Sequence, residues 1–357
     1  MDDYSRIRGC LLGGAVGNAL GAPIERESLA AIRARFGAEG LTDYAPAYGR
    51  LGAITADTQM TLFTVEGLIR AMNRGRARGI CGPSGVLWHA YQRWLATQGV
   101  SPREPMWKSF GQPRPDGWLI GVEELRRRRG PGASCLKALF AGGFPNINHP
   151  VNDSKGCGAV TRVAPIGLSG TWNAFELGCE AAATTHGHPA GYQPAGFLAA
   201  LVQALGEGAT LEAAIDAALA PLSKAPRNEE TMAAVRDARA LAARGGVSPE
   251  GLETLGDGWT GDRALAIALA ASLAARDFRG AVLLAVNHSG DSNAAGVLAG
   301  QIWGAIAGVE GIPPTWLERL ELRGLIETLA EDLYKAVNEL ETSEEDGTYD
   351  WDRYPGC

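Results

Sequence analysis

Almost every apolar run in this chain recurs at helical spacing, and runs with the two-residue alternation of a half-buried strand are scarce. Arg6 to Leu20 is the first such stretch; Gly13, Gly14 and Gly17 within it permit close packing, and Gly21-Ala22-Pro23 ends it. Met60, Leu62, Phe63, Leu68 and Ile69 begin a second, and Val86 to Leu95 gives a third with Trp88 and Trp94 as core anchors. Ala174 to Thr185, Ala195 to Leu205, Leu211 to Leu222, Thr231 to Ala243 and Arg263 to Ala275 follow, rich in Ala and Leu. A chain patterned this way must build its core by laying helix on helix, so the fold class is all-α.

Composition excludes several functions. A net charge of −7 argues against a general binder of nucleic acid or of anionic membranes. No apolar run reaches membrane-spanning length and Met1-Asp2-Asp3-Tyr4 lacks the basic start of a signal peptide, so a cytoplasmic protein is expected. Cys10, Cys81, Cys135, Cys157, Cys179 and Cys357 show neither CxxC pairing nor zinc spacing, which suits reduced thiols. With 46% hydrophobic residues the chain can bury a sizeable core. No internal repeat or heptad seam divides it, so residues 1–342 read as one helical domain and 343–357 as an acidic, loosely held tail.

Chemistry-bearing residues gather at helix ends. In His288-Ser289-Gly290-Asp291-Ser292-Asn293, Asp291 opens a helix, where an acid caps free amides; with Asn293 it also offers two oxygens to a hard cation. Thr55-Ala56-Asp57-Thr58 presents the same choice between capping and ligation, and Glu25 directly follows the first helix stop. Gly156-Cys157-Gly158 frees backbone amides toward an anion such as a phosphate, and Thr185-His186-Gly187-His188 places histidines at a helix terminus. Long loops run from about Gly37 to Ile54, Ser101 to Gly117 and Gly143 to Lys155. The run Arg126-Arg127-Arg128-Arg129 reads as a solvated helix C-terminus.

Taken together, the ordered motifs Gly14 to Glu25, Thr55 to Thr61, Ser154 to Pro165, Thr185-His186 and Ser289 to Asn293 resemble the ADP-ribosylglycohydrolase family. The resemblance implies a compact, orthogonally packed helical bundle with two Mg²⁺ or Mn²⁺ ions at the bottom of a cleft. Those ions hold ribose hydroxyls while water attacks the anomeric carbon of an ADP-ribosyl group, a passage through an oxocarbenium-like state. It further implies that Glu25 activates water or the ribose, that Thr55, Asp57 and Asp291 are metal ligands, that Gly156, Cys157 and Gly158 line the phosphates and distal ribose, and that His186 lies near the substrate. A monomer acting on a nucleotide-derived substrate is expected, with no nucleic-acid or membrane partner.

Departures from the family pattern limit that expectation. Asn18, Ala56 and Asn293 stand where the family commonly has Asp, and Ala294 where it has Ser or Thr. Fewer anionic ligands mean weaker binding of hard cations, so one weak ion or none is expected, with Asn293 as a neutral ligand and Asn18 beside the substrate. Three functions remain open: a ribosyl-bond hydrolase with Glu25, Asp57 and Asp291 as its carboxylates, a silent ADP-ribose-binding protein, and an enzyme repurposed for a small nucleoside or NAD-derived metabolite.

Overall fold

The computed structural model describes residues 2–109, 111–338 and 352–356. Among these residues regular structure is helical, and extended pairing is confined to two isolated bridges, Ala47 with Arg50 and Gly156 with Thr260. The longer helices are α1 (Asp3–Gly21), α2 (Ala56–Arg78), α3 (Pro83–Thr97), α4 (Pro189–Gly206), α5 (Leu211–Leu222), α6 (Glu229–Ala243), α7 (Gly261–Ala274), α8 (Ser292–Ala307) and α9 (Arg323–Asn338). Their buried apolar side chains form one connected core. None of the described helices is long and apolar enough to cross a membrane.

The centre of the core is the antiparallel pair α1 and α8. From Cys10 onward α1 is buried on every side, so it has no polar face to leave in water. Close approach requires glycine: a Cβ at Gly9, Gly13 or Gly17 would stand 2.2, 2.3 or 1.9 Å from the carbonyl oxygens of Gly304, Gly300 and Gly296. Gly21, one turn further, meets Ser292 in the same way. Four glycines spaced four apart on one helix thus face three on the other and let the backbones touch. This seam carries the end of α1, with Asn18, against the start of α8, with Asn293.

Helix caps follow from local sequence. Asp2, Ser28, Thr55, Asn173, Thr210, Ser248, Asp277 and Asp291 each accept a backbone N–H at the start of a helix, which satisfies donors the helix itself cannot.

Two expectations about charged segments require correction. Arg129 is not solvated: it is 3% exposed and pairs at 3.0 Å with Glu321, itself 1% exposed. Its carbonyl accepts from Ala56 N–H at 2.9 Å, so the end of the Arg run braces the start of α2. In the tail, the described residues 352–356 are pinned. Tyr354 is buried, donates its hydroxyl to Asp332 at 2.6 Å, and through its carbonyl oxygen accepts from Asn73 Nδ2 at 2.9 Å. The remainder of the expected tail, residues 343–351 and 357, lies outside the described residues.

Candidate active site

Seven chain segments, around residues 25, 57, 130–135, 156–158, 186, 259 and 291, converge at the end of the glycine seam and enclose a cleft of about 390 Å³. Glu25, Asp57, Gly156, Cys157, Gly158, His186, Asp291 and Asn293, residues far apart in sequence, all line it. Asn18 and Thr55 lie immediately beneath, 0% and 1% exposed. Convergence has identifiable causes. Arg26, held at φ 73°, donates its backbone N–H to Gly290 O at 3.0 Å and so ties the Glu25 turn to the Asp291 segment. Gly156 bridges to Thr260, Cys157 N–H donates to Trp259 O at 3.2 Å, and Asp291 N–H donates to Asp257 O at 2.8 Å. The loop 257–260 therefore fastens two motifs together. Gly290, at φ 121°, admits no side chain there because a Cβ would reach 2.1 Å from Asp257 O.

Beneath the cleft lies a hydrogen-bond network whose direction can be derived. A backbone N–H can only donate, and that of Thr55 points at Asn18 Oδ1, 2.6 Å away; Thr58 Oγ1 donates to the same oxygen at 2.8 Å. Asn18 must therefore turn its Nδ2 outward, to Thr55 Oγ1 at 2.9 Å and to Asn293 Oδ1. Asn293 in turn presents Nδ2 to Thr55 Oγ1 at 3.1 Å and to Asp57 Oδ2 at 3.0 Å. Thr161 Oγ1 donates to Asp57 Oδ1 at 2.8 Å, so both Asp57 oxygens have partners. One backbone amide thereby orients two side-chain amides and a carboxylate.

That orientation decides whether a metal pair fits. Asp57 Oδ2 and Thr55 Oγ1 both face the hydrogens of Asn293, and Ala56 offers no ligand atom. Asp291 spends Oδ1 on Ala294 N–H at 2.9 Å and turns Oδ2 toward the Cys157 thiol at 2.9 Å. Among the described residues no group of three or more His, Cys, Asp and Glu side chains is placed to hold an ion. Amide hydrogens occupy the directions a second cation would need, so the residues present do not fit a two-ion centre. Thr55 and Asp291 act as helix caps while facing the site, so capping and site roles coexist in one side chain.

Electrostatics separate the carboxylates. Burial first, then Asp57, pushes Asp291 up to about 7. Asp57 is raised by burial against the opposing hydrogen bonds of Thr161, Thr55 and Asn293. Glu25 is raised by burial and by Asp57, and its ion-pair partner Arg26, 3.5 Å away, is 78% exposed. Burial, with the Asp291 carboxylate next, pushes the Cys157 thiol well up, so it stays protonated and donates. His186 is driven down to about 3 by burial and nearby Arg162, and is neutral. Its Nδ1 lies 2.8 Å from Thr185 Oγ1, which accepts from Arg162 Nη2 at 2.8 Å. Arg162 also donates to Ala181 O at 3.1 Å, a carbonyl at the end of the helix Ala174–Ala183 where a cation is favoured.

Several cleft residues escape a reading of the sequence. Trp259 stands on the rim under the Arg26 guanidinium, 5.4 Å from its ring centroid, and Gly130 to Cys135 form a wall. Ser134 in that wall meets Ser154 at 2.7 Å. Trp259 lies between turn residues with no periodic signal, and the wall looks like an ordinary Gly-Pro-Gly connection.

Comparison with known proteins settles the family. The sequence profile of ADP-ribosylglycohydrolase matches residues 1–342. This chain belongs to the ADP-ribosylglycohydrolase family. A solved structure titled "ADP-ribosylglycohydrolase-related protein complex" is similar over 94% of this chain and 99% of that one, with a TM-score of 0.66 and 26% identity. An uncharacterized protein of Archaeoglobus fulgidus is 27% identical over 92% of this chain and 96% of its own length. ADP-ribosylarginine hydrolase Tri1 of Pseudomonas putida is 40% identical over 58 residues, which is 16% of each chain. The bundle of an ADP-ribosylglycohydrolase is thus the fold of this protein, and glycohydrolases of ADP-ribosyl linkages are its relatives.

Proposed function

We propose that this protein hydrolyses the glycosidic bond of an ADP-ribosyl group, or of a related nucleotide-derived ribosyl group, without a two-metal step. The observation that carries the reading is the contrast among the cleft carboxylates. Asp57 and Asp291 are locked by internal hydrogen bonds, whereas Glu25 lines the same cleft with only the exposed Arg26 as partner. A carboxylate that is half-buried, raised and uncommitted is suited to proton transfer. Water donates a proton to Glu25 as its oxygen joins the anomeric carbon; the leaving group departs with the bonding electrons and is protonated in turn. Asp57, joined by Asp291 as pH rises through about 7, presents the anionic floor that a positively charged sugar-like transition state requires. Gly156 and Gly158 give the diphosphate a wall without side chains, and neutral His186 beside them donates or accepts without adding charge. One cation at most is accommodated, by Asp57 and Asp291 from the set Thr55, Asp57, Asp291 and Asn293. The cleft is lined by one chain, which we take as the working unit, with residues 1–342 as its domain.

Release of ADP-ribose from an ADP-ribosylated arginine peptide, measured with Mg²⁺ and with EDTA, tests the reading. Turnover that survives EDTA, and falls by roughly 100-fold or more in Glu25→Gln, is the expected result. Calorimetric binding of ADP-ribose should persist in that variant. Binding without release from any ribosyl substrate would replace the hydrolase by a binding protein. Activity abolished by EDTA would restore the metal mechanism.

A further inference from the structure

Behind the cleft wall a buried arginine is tied to a cleft histidine through one hydroxyl. Arg162 and Thr185 are both 0% exposed and His186 is 2% exposed. Arg162 closes the segment Cys157–Arg162 whose start lines the cleft, and its guanidinium lies over the Tyr91 ring, 4.2 Å from the centroid. His186 lines the same cleft, where a Cβ at Gly156 would stand 3.1 Å from its Nε2. That nitrogen has no hydrogen-bond partner among the described residues.

The direction of each hydrogen bond in this chain follows from its donor. A guanidinium only donates, so Thr185 Oγ1 accepts from Arg162 Nη2 at 2.8 Å and keeps its own proton to give elsewhere. Three acceptors lie around it. Ala182 O, 3.3 Å away, already takes the backbone N–H groups of Thr185 and His186, both at 3.0 Å, which fills its two lone pairs. The Cys135 sulfur is a weak acceptor and faces Arg162 Nη1 at 3.5 Å. His186 Nδ1, at 2.8 Å, is both close and unclaimed. A neutral imidazole has one N–H, so with Nδ1 accepting, the hydrogen sits on Nε2. Burial, then Arg162, keeps the ring neutral. Its backbone is fixed as well: Thr185 O accepts from Asn152 Nδ2 at 2.9 Å, and a Cβ at Gly191 would lie 3.2 Å from His186 Cβ.

We propose that Arg162 and Thr185 are positioning residues that lock His186 as a neutral Nε2–H donor, aimed past Gly156 at an oxygen of the bound substrate. A ligand that brings an acceptor there, such as a phosphoryl oxygen of a nucleoside diphosphate, gains a charge-assisted hydrogen bond. A ligand that brings only N–H donors meets another hydrogen and is rejected. The tautomer is independent of the proposed hydrolysis; only the ligand it serves, an ADP-ribosyl group, rests on that reading.

Long-range ¹H–¹⁵N correlation spectra of the full-length protein with labelled histidine read the tautomer directly, and His186→Gln assigns the signals. At neutral pH Nε2 should carry the proton and Nδ1 should not; a ring protonated on Nδ1 overturns the proposal. Thr185→Val should shift the Nδ1 resonance by removing its donor, and Thr185→Ser should keep it. By calorimetry, Thr185→Val should bind ADP-ribose about tenfold more weakly than the parent, with Thr185→Ser close to the parent. His186→Gln, whose amide still donates, should bind more tightly than His186→Phe. A Thr185→Val protein that matches the parent in both Nδ1 resonance and affinity also overturns the proposal. A parent protein that shows the Nε2–H ring yet does not bind ADP-ribose would count against the proposed function and leave the Arg162–Thr185 lock standing.

Discussion

Two buried polar clusters lie along α2, one at its first turn around Asp57 and one around Arg70, about 20 Å apart along the helix axis. They solve the same problem differently. At the first, every donor from Thr55 N–H through Asn18 and Asn293 reaches an acceptor, and the network closes on Asp57. At the second, four guanidinium nitrogens of Arg70 and Arg93 and the carboxylate oxygens Glu66 Oε1 and Asp116 Oδ1 find no partner within hydrogen-bond distance among the described residues. A closed network of hydrogen bonds rigidifies, whereas a cluster of like burial held by charge at 3.6 to 4.0 Å leaves donors and acceptors unmatched. The hydrogens of Asn18 lie against Thr55 Oγ1 and Asn293 Oδ1, and those of Asn293 against Thr55 Oγ1 and Asp57 Oδ2, so the two neutral amides hold these oxygens together without a cation.

Breaking the closed network should have the largest effect. Asn18→Leu strands Thr55 N–H, Thr58 Oγ1 and the Asn293 amide, so urea unfolding should show a loss of about 4 kcal/mol. Arg93→Met in the open cluster should cost somewhat less, about 3 kcal/mol, because it removes the hydrogen bond to buried Glu66 while Arg70, 3.6 Å from Glu66, keeps a positive charge nearby. An equal or larger loss there would mean that the open cluster is as well satisfied as the closed one.

Converting the closed network into an ion site is a sharper probe. Ala56→Asp with Asn293→Asp adds two anions around Asp57 and Asp291, so Mn²⁺ affinity by calorimetry should rise about tenfold or more. Unchanged affinity would show that the amides are not what excludes the ion.

The smallest effect concerns the histidines, one beside each cluster. His186 titrates near 6.5 when unfolded and at about 3 when folded. Between those values the unfolded chain holds a proton that the folded one does not, so stability rises with pH through the window and is complete above 6.5. Acidification from pH 7.5 to 5.5 should therefore cost about 1 kcal/mol through His186, and His186→Gln should remove that part of the slope in parallel urea titrations. A slope that survives the substitution would assign the acid sensitivity elsewhere.

Much of the molecule is legible in its residues alone. Helical spacing announces an all-α bundle, and the motifs around Glu25, Asp57, Gly156, His186 and Asp291 stand out as glycine- and acid-marked helix ends that the fold gathers at one cleft. Arg129 escapes such a reading because a run of arginines carries no sign of which member turns inward to Glu321. The described end of the tail escapes it for a similar reason: an acidic composition says nothing of Tyr354 sitting in the core. Trp259 and the Gly130 to Cys135 wall give no local signal because their roles come from neighbours distant in sequence.

What the sequence determined by itself was local: helix content, helix caps, and the four-residue spacing of Gly9, Gly13 and Gly17 on one helix and Gly296, Gly300 and Gly304 on another. Such features depend on residues within a turn or two of each other, where backbone geometry fixes the outcome. The pairing of those two glycine rows was decided only in three dimensions. So were the direction of the Asn18 to Asp57 network, which hangs on a single backbone N–H, and the unmatched arginines of the second cluster. Each depends on which distant atoms share a dielectric and a hydrogen bond, and that is a property of packing rather than of sequence neighbours.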